Sequence, residues 1–381
     1  MTGVTGPRLA VALDGTGWHP AAWREPEARP GDVLTAGYWA DLVRQAEAAR
    51  LDFVTFEDFL SLRTPSDSTV RTDVVQTRLD AVLIASRVAP LTSHIGLVPT
   101  TVVTHTEPFH AAKAIATLDY VSSGRAGIRA QVSGSAEEFR HFGRREPEGV
   151  DALFDEAADY LEVLRRLWDS WEDDAEIRDV ATGRFIDRDK LHYIDFEGRW
   201  FSVKGPSITP RPPQGQPLVA ALAHIPVAYR LAARQADLVY VTPADRAGSA
   251  SILAEVQEAQ AARTGDSLHV FADLVVFLDE TAQAAADRKA RLDERAGAEF
   301  TSDAHIFTGT PAELADLLLD WHATGLSGFR LRPAALPHDL TAITDGLVPE
   351  LRSRGAFRTG YEAPTLRGLL GLSRPANRYA A

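Results

Sequence analysis

Short apolar runs of strand length alternate with longer stretches of helical periodicity along almost the whole chain. Residues 9–13, 52–56, 94–98, 126–132, 217–222, 237–241, 270–278 and 327–331 read as strands. Between them, residues 38–50, 79–88, 108–121, 153–168, 252–263, 280–295 and 311–324 carry the spacing of amphipathic helices. Strands separated by helices predict parallel βαβ units, and eight of them predict a closed (β/α)8 TIM barrel of the α/β class. A doubly wound open sheet is the runner-up, but no GxGxxG follows an early strand, which weakens a dinucleotide-binding version of it.

Two stretches fall outside the alternation. Residues 169–216 are rich in acidic residues, glycine and proline, with hairpin-like strands at 193–196 and 199–203 around Glu197-Gly198. As the largest insertion, this stretch predicts a cover over the barrel mouth, where a barrel carries its active site. A plain surface elaboration is the alternative. Residues 358–381 place Tyr361, Leu366, Leu369, Leu370 and Leu372 among charges and glycines. They predict an arm that packs on this or a neighbouring subunit. The 381 residues thus read as one barrel domain with an insertion and an arm.

The run 126–133 is the most informative strand, because side chains alternate between its faces. Ala126, Ile128, Ala130 and Val132 form an apolar face for the helices, while Gly127, Arg129, Gln131 and Ser133 turn to the lumen. An inward arginine and amide are costly unless paired. They predict either a satisfied internal polar cluster or a ligand site near the strand's end. Glu57-Asp58, Thr104-His105 and His224 follow other strands, and Gly17-Trp18-His19 closes the first strand's loop. Polar residues recurring at one end of successive strands are what a barrel active site produces.

Charge and composition narrow the chemistry. Lys and Arg number 40 against 53 Asp and Glu, a net charge of −13, which disfavours nucleic acid or an anionic membrane as partner. Cysteine is absent, removing disulfides and thiolate chemistry together. No run of about 18 apolar residues and no apolar leader is present, so a soluble, cytoplasmic protein is expected. HExxH, paired CxxC, EF-hand and GxSxG patterns are missing, so no metal is expected and the reactivity points to a cofactor.

Several segments carry a resemblance: GWHPAAWREP (17–26), LDFVTFED (51–58), PFHAAKAIATLDYVSSGRAG (108–127), YLEVLRRLWDSWEDDA (160–175), GTPAELADLLLDWHATGLSGFRLRP (309–333), LVPELRSRGAFR (347–358) and RPANRYA (374–380). Together they resemble the luciferase-like flavin-dependent monooxygenases, in the branch of nitrilotriacetate, dibenzothiophene-sulfone and pristinamycin-pathway monooxygenases. The resemblance implies a TIM barrel using reduced FMN from a separate NAD(P)H:flavin reductase. It further implies O2 as co-substrate, a flavin C4a-(hydro)peroxide, and transfer of one oxygen atom to a small organic substrate. A homodimer or tetramer is inherited from the same likeness.

Position by position, Asp58 and Thr104 match family residues beside the flavin, and Ser133 keeps the last serine of a W-N-V-V-T-S strand in which Arg129 replaces asparagine. Gln131 shares that face. Phe154 replaces a tyrosine of an R-Y-x-x-x-x-E-Y segment. LAHIPVA (222–228) replaces A-G-x-S-x-x-G, putting Ile225 and Ala228 at a serine and a glycine of the phosphate grip. Arg129 or His224 could compensate. His105 is the preferred acid/base, with His19 and His224 as further candidates at the substrate. A deazaflavin-dependent oxidoreductase on the same barrel, and a non-catalytic relative with a degenerate flavin site, remain alternatives.

Overall fold

The computed structural model describes residues 6–63 and 70–380. Eight parallel strands close a barrel: β1 (Arg8–Leu13), β2 (Phe53–Phe56), β3 (Gly96–Val102), β4 (Gly127–Gln131), β5 (Leu218–Leu222), β6 (Leu238–Val241), β7 (His269–Leu278) and β8 (Gly328–Pro333). The ring is completed by β8 pairing back onto β1, with Arg8 opposite Gly328 and Val11 opposite Leu331. Every one of these strands lies on a run expected from the sequence, within a few residues at each end.

The helices expected between them are α1 (Ala36–Ala48), α2 (Ala81–Val88), α3 (Pro108–Val121), α5 (Val150–Asp169), α7 (Arg246–Ala259), α8 (Ala282–Ala296) and α9 (Pro311–His322). Two more, α4 (Ala136–Phe142) and α6 (Pro226–Gln235), were not expected. Helix starts follow side-chain capping: Thr35 accepts from Tyr38 N–H, Asp80 from Leu83 N–H, and Thr310 with Glu313 forms a reciprocal capping box.

A strand absent from the sequence reading, His305–Gly309, changes the barrel wall. The lower half of β7, from His269 to Ala272, pairs with β6. Its upper half, Leu274 to Leu278, pairs instead with His305–Gly309. The wall therefore splits between β6 and β7 near the mouth, and the segment before the extra strand brings Asp303 to the rim.

Strand alternation sorts the core. Ala126, Ile128 and Ala130 pack under the helices with Val11, Val54 and Leu331, whereas Ala10, Phe53, Val98, Leu218, Leu238 and Phe271 fill the lower lumen. The C-terminal arm closes the lumen from below, where Leu366, Leu370 and Leu372 join that lower cluster. Leu366 sits so close to Gly96 that a β-carbon there would lie 2.5 Å from its Cδ1. The arm then crosses beneath the barrel, held by Arg367 on Asp237 at 3.1 Å and by Asn377 Nδ2 donating to the carbonyls of Asp169 and Trp171. In this chain the arm thus packs on its own barrel.

The insertion corrects the expected cover in part. The first hairpin, Glu176–Asp179 with Arg184–Ile186, leaves Val180 and Phe185 exposed. The second is shorter than expected, Phe196–Glu197 against Ser202–Val203. Only its tip, Trp200 and Phe201, reaches a cavity beside the mouth. Helix α3 ties the rest to the barrel flank: the Tyr120 hydroxyl donates to the Arg211 carbonyl, and Gln214 Nε2 donates to the Asp119 carboxylate.

Candidate active site at the barrel mouth

The lumen above the apolar layer holds a paired ionic chain contributed by four strands. Arg129 on β4 donates from one Nη to Glu57 at 2.9 Å, Thr100 at 3.0 Å and Gln131 at 3.0 Å. Glu57 accepts from Arg330 on β8 at 3.0 Å, and Arg330 grips Asp273 on β7 with Nε at 2.8 Å and Nη2 at 2.5 Å. Arg332, two residues on and on the same face, also holds Asp273 and reaches Asp303 at 2.6 Å. The cations lie over rings, Arg330 over Tyr240 at 4.0 Å and Arg332 over Trp18 at 4.5 Å.

Removing these charges from water costs several kcal/mol each, which only close pairing offsets. Three arginines face three carboxylates. Burial pushes the Asp303 carboxyl up, and the Arg332 guanidinium more than reverses this, holding it at about 2. Burial also draws the Arg129 proton affinity down, against the pull of Glu57. Two polar atoms in this layer remain without a hydrogen-bond partner, Arg129 Nε and the Tyr240 hydroxyl. Arg129 is thus held in an internal ion-paired cluster through one Nη, with its Nε left over among the described residues. It stands level with Thr100 and Ala220, below the strand ends.

Other anticipated residues follow the strand ends, where Thr104 and Ser133 touch each other and Asp58 and His224 hold separate partners. Thr104 Oγ1 accepts from Ser133 N–H at 2.9 Å, tying the ends of β3 and β4, and Ser133 Oγ accepts from Ser135 N–H. The Thr104 hydroxyl proton therefore remains available to a further acceptor. Asp58, after β2, accepts from Ala81 N–H at 3.0 Å; burial raises its carboxyl to about 6, tempered by that bond and by Arg78. His224 is exposed after β5, with Nδ1 2.9 Å from Thr242 Oγ1 and Nε2 3.5 Å from Asp303. It stands beside the start of α6, where Pro226 occupies the first turn and Ile225 offers no side-chain cap. Phe154 packs half-buried against the barrel-flanking core from α5.

His105 sits one residue past Thr104 and turns outward beneath α4. It stacks on Phe142 at 4.8 Å and meets Phe139 edge-on at 4.7 Å. Its Nε2 faces Glu138 at 3.7 Å, and neither atom has a hydrogen-bond partner. Burial lowers the imidazole's proton affinity, opposed by Glu138. A cavity of about 230 Å³ beside it is lined by Thr104, Phe139, Arg145, Glu156, Trp200 and Phe201 among others. His19 is not brought to this group. It is fully enclosed near Phe277 and Phe300, one ring nitrogen 3.0 Å from Asp293 and the other accepting from Ala21 N–H. Both nitrogens are engaged, which makes it a wall residue.

Sequence reasoning did not single out Asp273, Arg330, Arg332, Asp303, Glu138 or Trp200. The alternation of FRLRP (329–333) was the available signal, since it places Arg330 and Arg332 on one strand face. Among the described residues, no three His, Asp or Glu side chains form a metal-holding group, and no helix is long and apolar enough to cross a membrane.

A sequence model of luciferase-like monooxygenases matches residues 18–297, most of the barrel. The chain belongs to the luciferase-like monooxygenase family. As a family member it is an oxidoreductase, a flavin-dependent monooxygenase. It is 30% identical to N-acetyl-S-(2-succino)cysteine monooxygenase of Bacillus subtilis, over 98% of both chains. It is 29% identical to nitrilotriacetate monooxygenase component A of Aminobacter aminovorans, over 96% of both. A solved riboflavin lyase, with modified FMN and substrate riboflavin bound, superposes with a TM-score of 0.87 at 25% identity, over 96% of both chains.

For this luciferase-like chain, Asp58 gives a pH prediction. Its folded carboxyl holds a proton more tightly than an ordinary aspartate, so its contribution favours the fold below about pH 4 and is lost as pH rises through about 6. Asp58→Asn should therefore gain stability relative to the parent protein between pH 4 and pH 7. Urea midpoints of both proteins at the two pH values check the sign.

Proposed function

We propose that the protein is the oxygenase component of a two-component monooxygenase, taking FMN reduced by a separate NAD(P)H:flavin reductase and oxygenating a small organic substrate with O2. The observation that carries this reading is the family match over residues 18–297, with Thr104 and Ser133 bonded to each other across the ends of β3 and β4. The printed name of the Aminobacter relative, a component A, supports a division of labour with a second protein.

The residues present fit the ring of a flavin better than its phosphate. At the ring, the Thr104 hydroxyl would donate to a carbonyl or nitrogen edge while Ser133 N–H holds its oxygen in place. The paired lumen below gives the ring a floor of fixed charges that needs no counter-ion from solvent. At the phosphate, Ile225 and Ala228 bring no hydroxyl, so the α6 N-terminus and His224 would do the holding. Bound reduced flavin would supply the two electrons that activate O2. His105 would hold or pass a proton at Nδ1 or Nε2, with Glu138 as the group that positions it. Trp200 and Phe201 would keep water from that side of the site.

Anaerobic titration with photoreduced FMN tests the reading, with a reduced deazaflavin run alongside. Saturable binding of reduced FMN, weakened roughly tenfold in Thr104→Val, is expected for a lost hydrogen bond to the ring. Preference for the deazaflavin would favour the dehydrogenase alternative. Binding of neither would favour a non-catalytic relative with a degenerate flavin site, the reading to which Ile225, Ala228 and the ion-paired Arg129 lend weight.

A further inference from the structure

At the opposite end of the barrel from the mouth, a groove of about 760 Å³ opens between α5, the C-terminal ends of α6 and α7, and the crossing arm. Five arginines line it against two aspartates, a local excess of positive charge in a chain of net charge −13. Two of the arginines are neutralised. Arg165 and Arg367 share the buried Asp237 at 3.1 Å each; burial pushes that carboxyl up, and the two guanidiniums bring it down to about 2.

The others keep their charge. Among the described residues, Arg263 donates to the carbonyls of Asp266, Ala233 and Ala236 and forms no ion pair, although it feels the charges of Asp237 and Asp266. Arg230 and Arg234 stand one turn apart on the exposed face of α6, and among the described residues neither forms an ion pair. Asp159 is the acid that feels Arg234 electrostatically. Like charges one helical turn apart are mildly destabilising by themselves. The side of the groove between them is faced with Ala233, Ala236, Ala259 and Ala262, small enough to let a flat molecule lie against the backbone.

We propose that this groove binds a phosphate monoester of nucleotide size, its phosphate held by Arg230, Arg234 and Arg263 and its flat body against the alanines. Arginine suits this task because its planar fork matches phosphate oxygens two at a time. The site is separate from the barrel mouth, so it does not depend on how the mouth is used.

Isothermal titration of the full-length protein with adenosine 5′-monophosphate, pyrophosphate and adenosine, at fixed ionic strength, tests the proposal. The nucleotide should bind saturably, adenosine should not, and the surface variant Arg230→Gln/Arg234→Gln should lose about tenfold or more in affinity. Its melting temperature without ligand should stay close to the parent protein's, since among the described residues neither side chain forms an ion pair. Nucleotide binding unchanged in that variant, or no binding at all, would overturn the proposal. Pyrophosphate binding tightly where the nucleotide does not would also contradict it, marking a site for inorganic anions instead.

Discussion

Asp273→Asn is expected to destabilise the protein by about 3–5 kcal/mol, because it removes the shared anion of two buried guanidiniums. Arg330 would retain Glu57 and Arg332 would retain Asp303, but the chain of alternating charge would be broken at its centre. A guanidinium deep in the lumen cannot shed its proton as an imidazole would, so three arginines would face two carboxylates and one positive charge would stay uncompensated. Urea denaturation measures the loss. Asp273→Leu combined with Arg330→Met and Arg332→Met serves as the comparison, since an apolar set leaves no lone charge in the lumen, Asp303 being half exposed at the rim, and should recover much of the stability. A single-variant loss below about 1 kcal/mol would show that the lumen is wetter and the pairing weaker than described.

Cutting back the arm's leucines should have the next largest effect. Leu366→Ala opens a space against Phe53 and Gly96 at the base of the lumen and should cost about 2–5 kcal/mol, with Leu370→Ala similar. The two touch one cluster, so their combined effect should depart from the sum. Denaturation midpoints check both. Equal stability in Leu366→Ala would mean the arm does not close this barrel in solution.

The architecture was legible because most barrel strands are nearly continuous apolar runs, β4 and β8 alternating instead, and because helices of clear periodicity separate them. The extra strand His305–Gly309 was not, since HIFTG is short, partly exposed and directly precedes a strong capping box at Thr310. Helix α4 left a signal that went unread: Ser135 as cap, acids in the first turn, Arg140 and His141 in the last, and Gly143 with φ of 62° as its stop. Helix α6 was hidden by Pro226, which reads as a breaker but sits at the first helical position, where it is tolerated.

At the site, β4 alternation put Arg129 and Gln131 on one face, where they bond each other. What it could not give was their partners, since Glu57, Asp273 and Arg330 lie tens to hundreds of residues away and meet only when the barrel closes. The same closure left His19 in a packed wall although it follows a strand as His105 and His224 do. Position at a strand end is read from sequence; the direction of the side chain depends on what packs behind it.

The central claim, that reduced flavin occupies the rim above the ionic lumen, is tested most directly by hydrogen–deuterium exchange with and without reduced FMN under anaerobic conditions. Protection is predicted in residues 57–60, 102–106, 131–135 and 222–228, the strand ends and the start of α6. Reduced FMN binding with no change in those four stretches, or with protection confined to the opposite end of the barrel, would contradict it.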